Sequence, residues 1–107
     1  MKINLKTLKF RAKKELKDFV NDKVSKLSRY DDKIISAEVT LQIDTAGVPE
    51  NKICEIRLVV PGNDDFVSKN ADTFEAAILD SVVTLQKVLQ RKKKQSIKTF
   101  NTADPLL

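Results

Sequence analysis

Apolar and polar residues alternate at the start of the chain, where Ile3 and Leu5 stand between Lys2, Asn4 and Lys6 and predict a short half-buried strand. From Ala12 the period changes. Ala12, Leu16, Phe19, Val20, Val24 and Leu27 step by threes and fours, which predicts one apolar stripe on a helix of about 17 residues. Tyr30 extends the stripe and Asp31-Asp32 break it. Alternation then returns, with Ile35, Ala37, Val39, Leu41 and Ile43 facing one way and Ser36, Glu38, Thr40 and Gln42 the other. Residues 44–51, with Gly47 and Pro49, read as a hairpin loop. Cys54, Ile56, Leu58 and Val60 form the inward side of the next strand, and Pro61-Gly62-Asn63-Asp64 is a strong turn signal. Residues 66–70 read as a weaker strand. Asp72 or Thr73 can cap a second helix. On it Phe74, Ala77, Ile78, Ser81, Val82, Leu85 and Leu89 share one face at about 100° per residue.

The order β-α-β-β-β-α nearly fixes an architecture. The first strand must cross over a helix to rejoin the sheet, so it should lie parallel to its neighbour. The next three strands, joined by short turns, should form an antiparallel meander. Each helix has a single apolar stripe, so both should cover the same face of a four-stranded sheet. The other face, with Ser36, Glu38, Thr40, Gln42, Glu55 and Arg57, should be wet. The expected fold is an α+β two-layer sandwich over residues 1–94, followed by a flexible tail at 95–107 in which no period is visible.

Composition removes whole classes of chemistry. The 107 residues contain no histidine and one cysteine, which excludes Ser-His-Asp and Cys-His catalysis, an internal disulfide and any site built from histidine or several cysteines. Two glycines cannot make a Gly-rich phosphate loop. No run of about 18 apolar residues exists to span a bilayer, and the first ten residues lack the apolar block of a signal peptide. The expectation is a cytoplasmic, non-enzymatic protein without metal, cofactor, membrane or small-molecule substrate. Charge is what remains. The net is +5, unevenly spread: residues 1–33 hold 11 Lys/Arg against 5 Asp/Glu, residues 34–84 hold 3 against 9, and residues 85–107 hold 6 against 1. Two basic segments flank an acidic middle, a pattern that favours a polyanionic partner.

Most lysines on a helix only keep its outer face solvated. Two do not fit that account. Lys23 falls about 20° from Ala12 on the helical wheel, and Lys92 falls on the angle of Phe74, both inside apolar stripes at about 100° per residue. An unpaired buried ammonium is costly, so both side chains should reach outward, toward a groove between the helices. For Lys92 the plainer account is that Leu89 is the last core residue. Phe19, Tyr30 and Phe74 fall on core stripes, leaving only Phe100 free to stack on a base. Lysine-rich helix ends without free aromatics suit the phosphates and shape of structured RNA better than base reading. Asp31-Asp32 and Asp64-Asp65 are ordinary turn residues and Cys54 a small core residue. Leu79 and Val83, four apart and opposite the second stripe, form an exposed apolar pair.

The segment Leu27-Ser28-Arg29-Tyr30-Asp31-Asp32-Lys33-Ile34-Ile35-Ser36-Ala37-Glu38-Val39 resembles the end of the first helix and the second strand of the ribosome hibernation-promoting factors, also known as sigma-54 modulation proteins or ribosome-associated inhibitors. Ala71-Asp72-Thr73-Phe74-Glu75-Ala76-Ala77-Ile78 is similar to that family's second-helix entry. The resemblance covers roughly residues 1–94. It implies a fold like that of double-stranded RNA-binding domains, acting as a monomer off the ribosome. It implies binding of the 30S subunit at 16S rRNA in the mRNA and tRNA channel, which would block translation and hold idle ribosomes through stationary phase. By the same resemblance the RNA-binding residues are Lys23 and Lys26 on the first helix and Lys87, Arg91 and Lys94 on the second, with Lys92 and Lys93 as alternates for the latter set. The chain looks like a short form, without the second domain of long members. The rival readings are a generic dsRNA- or DNA-binding module and a protein-interaction modulator of a sigma factor.

Overall fold

The computed structural model describes the backbone of residues 1–103 and the side chains of residues 1–93. Its elements are β1 (Lys2–Leu8), α1 (Lys14–Ser25) continued by a 3-10 turn (Lys26–Arg29), β2 (Ser36–Ile43), β3 (Lys52–Val59), β4 (Asp65–Ala71) and α2 (Phe74–Ala103). The sheet runs in the order β1-β2-β3-β4, with β1 parallel to β2 and the rest antiparallel. This is the expected topology, and the crossover through α1 is what makes β1 parallel. The backbone of α2 continues through residues 95–103, where the sequence pattern alone gives no period. Residues 104–107 lie outside the described residues.

Every residue read onto the second stripe is buried, from Phe74 to Leu89. So are Ala37, Val39 and Leu41 of β2, Cys54, Ile56 and Leu58 of β3, and Val20, Val24 and Leu27 of the first helix and its turn. They form one core with both helices on one sheet face. Burying six such Leu, Ile and Val side chains is worth on the order of 10 kcal/mol before chain entropy is charged against it. Thr73 supplies the α2 cap, its Oγ1 accepting the Ala76 N–H at 3.1 Å. Gly62 sits at φ +98° in the turn between β3 and β4, a conformation that a β-carbon disfavours.

Two assignments change. Ile35, read as the first inward residue of its strand, is 60% exposed, and Ile34 is buried in its place. The strand begins one residue later, and alternation holds only inside it. Ile35 instead ties three segments through its backbone: its N–H donates to the Val59 carbonyl at 2.8 Å and its carbonyl accepts the Lys2 N–H at 3.2 Å. Ser36, read onto the wet face, is buried, with its Oγ 3.4 Å from Glu38 Oε1. The remainder of that face is half-buried or exposed, and Phe66 lies open on it beneath the Arg57 guanidinium, 6.0 Å from the ring centroid, so Phe100 is not the one aromatic left free.

Burial pushes the Cys54 thiol from 9.0 up to about 11; the Glu55 charge adds to this, while a hydrogen bond with Ser81 opposes it. The thiol should therefore resist iodoacetamide at pH 8 in the folded protein and react fully in denaturant, which mass spectrometry would read directly. The unfolded chain ionises first. The contribution to stability is thus whole below pH 9.0 and is lost as pH rises toward about 11. Rapid labelling of native protein at pH 8 would contradict the buried placement.

Candidate nucleic-acid interface

The two basic segments meet at one end of the sandwich. The first helix tightens into the 3-10 turn at Lys26–Arg29, and the chain then bends at Asp31, whose Oδ1 accepts the Lys33 N–H at 2.9 Å. This corner faces the fifth and sixth turns of α2 across a groove of about 550 Å³. Its lining includes Arg29, Tyr30 and Lys33 on one wall and Leu89, Lys92 and Lys93 on the other. Asp31 and Asp32 also line it, so four cations face two carboxylates. Leu89 is buried beneath the groove and Lys93 is exposed at its rim.

The predicted residues divide around this groove. Lys92 and Lys93 line it. Lys92, the lysine in line with a core stripe, is held by Asp65 at the start of β4, its Nζ 2.7 Å from Oδ1 and 2.8 Å from Oδ2. The Asp65 carboxylate is 12% exposed and Lys92 46%, so the pair is desolvated mainly on the side of the acid. Lys23 lies over Phe19, with Nζ 5.6 Å from the ring centroid and 3.5 Å from Asp22 Oδ2. Phe19 is itself only half-buried, so the lysine stem covers the edge of the core while the charge stays wet. Lys26 reaches the same Asp22 carboxylate at 3.8 Å. Neither Lys23 nor Lys26 lines the groove. Lys87 and Arg91 are exposed, and on the wheel they stand about 120° and 160° from Lys93 at about 100° per residue, away from the groove. The side chains of Lys94 and Phe100 lie outside the described residues.

Arg29 and Lys33 belong to the groove and were absent from the expected contact set. Their signal was present: both follow the stripe of the first helix, next to the Asp31-Asp32 break that marks its end. Asp22 was readable on the first helix, one residue from Lys23 and four from Lys26, whereas Asp65, read as a turn residue, opens β4 and had no such signal. Asp65 meets Lys92 from 27 residues away. Among the described residues, no group of three or more His, Cys, Asp or Glu is placed to hold a metal ion, and no helix is long and apolar enough to cross a membrane.

The family model described as sigma 54 modulation protein / S30EA ribosomal protein matches residues 3–96. Among solved structures, the N-terminal domain of Thermus thermophilus Protein Y is 28% identical with a TM-score of 0.73, covering 85% of this chain and 98% of that one. A ribosomal subunit interface protein from Coxiella burnetii is 16% identical with a TM-score of 0.78, covering 88% and 99%, a likeness of fold. No curated protein matches the chain.

Proposed function

We propose that this chain, which belongs to the sigma 54 modulation protein / S30EA ribosomal protein family, binds the small ribosomal subunit and blocks translation. Its place would be against 16S rRNA in the mRNA and tRNA channel of idle ribosomes in the cytoplasm, reached as a monomer. The observation that carries this reading is the groove at which the two basic segments converge, although Arg29 and Lys92 lie more than sixty residues apart. The groove's lysines suit phosphate contact, because a point charge follows a backbone without reading bases. The action is steric: a folded domain seated in the channel excludes mRNA and tRNA, and no covalent step is required. The acidic middle of the chain turns the opposite way in charge, so the molecule would approach rRNA already oriented.

Sucrose-gradient fractionation of a lysate tests the partner. The protein should travel with 30S and 70S particles; co-elution with a sigma factor and absence from ribosomal fractions would overturn the reading. Titration with salt tests the mechanism. About five phosphate contacts should make log affinity fall with log salt at a slope of roughly −3 to −5. A slope near zero removes phosphate contact as the basis of binding.

A further inference from the structure

A second run of cations lies far from the groove. Lys9, Arg11, Lys13, Lys14 and Lys17 fall between β1 and the first turn of α1, with Glu15 the one acid among them. All five are exposed. Lys14 pairs with Asp18 at 3.0 Å, and no ion-pair partner stands within 4.0 Å of the other four among the described residues.

The local structure holds these charges out at a cost. Lys9 has φ +70°, a left-handed conformation that a residue with a β-carbon adopts only under constraint. The constraint is Phe10, whose ring stacks on Phe74 with centroids 4.4 Å apart and planes 17° from parallel. Ala12 is buried as well, so packed residues alternate with the projecting Lys9, Arg11 and Lys13. Lys13 occupies the N-cap of α1 and makes no side-chain cap. Helix N-termini favour Ser, Thr, Asp or Asn caps and negative charge, and lysines there oppose the helix dipole. Exposed positions that break a folding rule without a folding gain point to a use outside the fold.

The stack on Phe74 also fixes where this corner lies. Phe74 begins α2, whereas the groove meets α2 at Lys92, about 27 Å further along the axis at about 1.5 Å per residue. Lys52 adds a further cation at the same end, with Nζ 5.9 Å from the Phe74 ring centroid. None of the exposed large apolar residues, which are Met1, Ile35, Val48, Phe66, Leu79 and Val83, falls between residues 9 and 18. A cationic surface without an apolar face has nothing to bury in lipid, which favours a nucleic-acid backbone over a membrane.

We infer that the β1–α1 corner is a second RNA-backbone contact, built from Lys9, Arg11, Lys13 and Lys17. It grips a stretch of phosphates separate from the one held at the groove. This inference rests on the proposed binding to the ribosome. Two attachment points about 25 Å apart fix the orientation of the domain on rRNA, which one groove alone does not.

Tethered hydroxyl-radical cleavage separates the two proposals. Cys54 is buried, so a probe attaches only to an introduced thiol: Lys13→Cys at the corner or Ser28→Cys at the groove. With 30S subunits, each probe should cut rRNA, at two non-overlapping sets of nucleotides. The triple variant Arg11→Gln, Lys13→Gln, Lys17→Gln should make the salt slope shallower by roughly 2 to 3 while the Ser28 probe keeps its cuts. Cleavage from Ser28 but not Lys13, overlapping cuts, or an unchanged slope would sink the corner and leave the ribosome reading standing. Cross-linking of position 13 to a ribosomal protein would replace RNA by an acidic protein surface and also overturn it. Absence of cuts from both probes would remove both proposals.

Discussion

Reversing one charge on each wall of the groove, Arg29→Glu with Lys93→Glu, should lower affinity for 30S subunits by at least about 100-fold at low salt. Each substitution removes a phosphate contact and puts a carboxylate where a phosphate would sit, so loss and repulsion add. The salt slope should become shallower by roughly 1.5 to 2, because two fewer counterions are released. Both side chains are exposed and take no part in the core, so the melting temperature should move little. Either single variant should cost less than the pair. Sedimentation titrations at several salt concentrations, with a thermal melt of each variant, give the result. Full binding by a folded double variant would show that the groove is not where rRNA is held.

The second large effect is on the fold. Ile56→Ala should destabilise the protein by about 3 to 4 kcal/mol, the range for deleting a fully buried aliphatic side chain that leaves a cavity. Ile56 is 0% exposed on β3, which is paired on both sides, so backbone shifts can do little to close the space. For a domain of this size the melting temperature should fall by about 10 to 25 °C. Phe66→Ala is the control. Phe66 is a larger residue on a neighbouring strand, but it is 57% exposed on the uncovered face, and its removal should cost under about 1 kcal/mol. Equal losses from the two variants would mean that both faces of the sheet are packed, against a two-layer architecture.

Much of the fold was readable from periodicity because periodicity is local. The seven residues of the second stripe are all buried, and the inward set Cys54, Ile56, Leu58 and Val60 is buried as read. A strand or helix must place its apolar residues on one side, and the spacing of those residues says which element it is. The readings at Ile35 and Ser36 failed at the boundary of a strand, where spacing carries no information and the bent entry of the chain decides which isoleucine turns inward.

The chain order alone determined the parallel first strand, the meander and the shared face of the helices, since one apolar stripe per helix and one crossover leave few alternatives. Composition alone determined that binding of a polyanion, and not histidine or cysteine chemistry, was the function to look for. Which cations stand together was decided only in three dimensions. Arg29 and Lys33 share a groove with Lys92 and Lys93, while Lys87 and Arg91, on the same helix, turn away from it. The side chains beside Lys23, Asp22 and Phe19, lie within about one turn of it on the same helix, whereas Asp65, which holds Lys92 from the start of β4, was invisible to spacing. Asp65 reaches Lys92 at 2.7 Å across 27 residues of sequence, and only the packing of helix on sheet sets that distance.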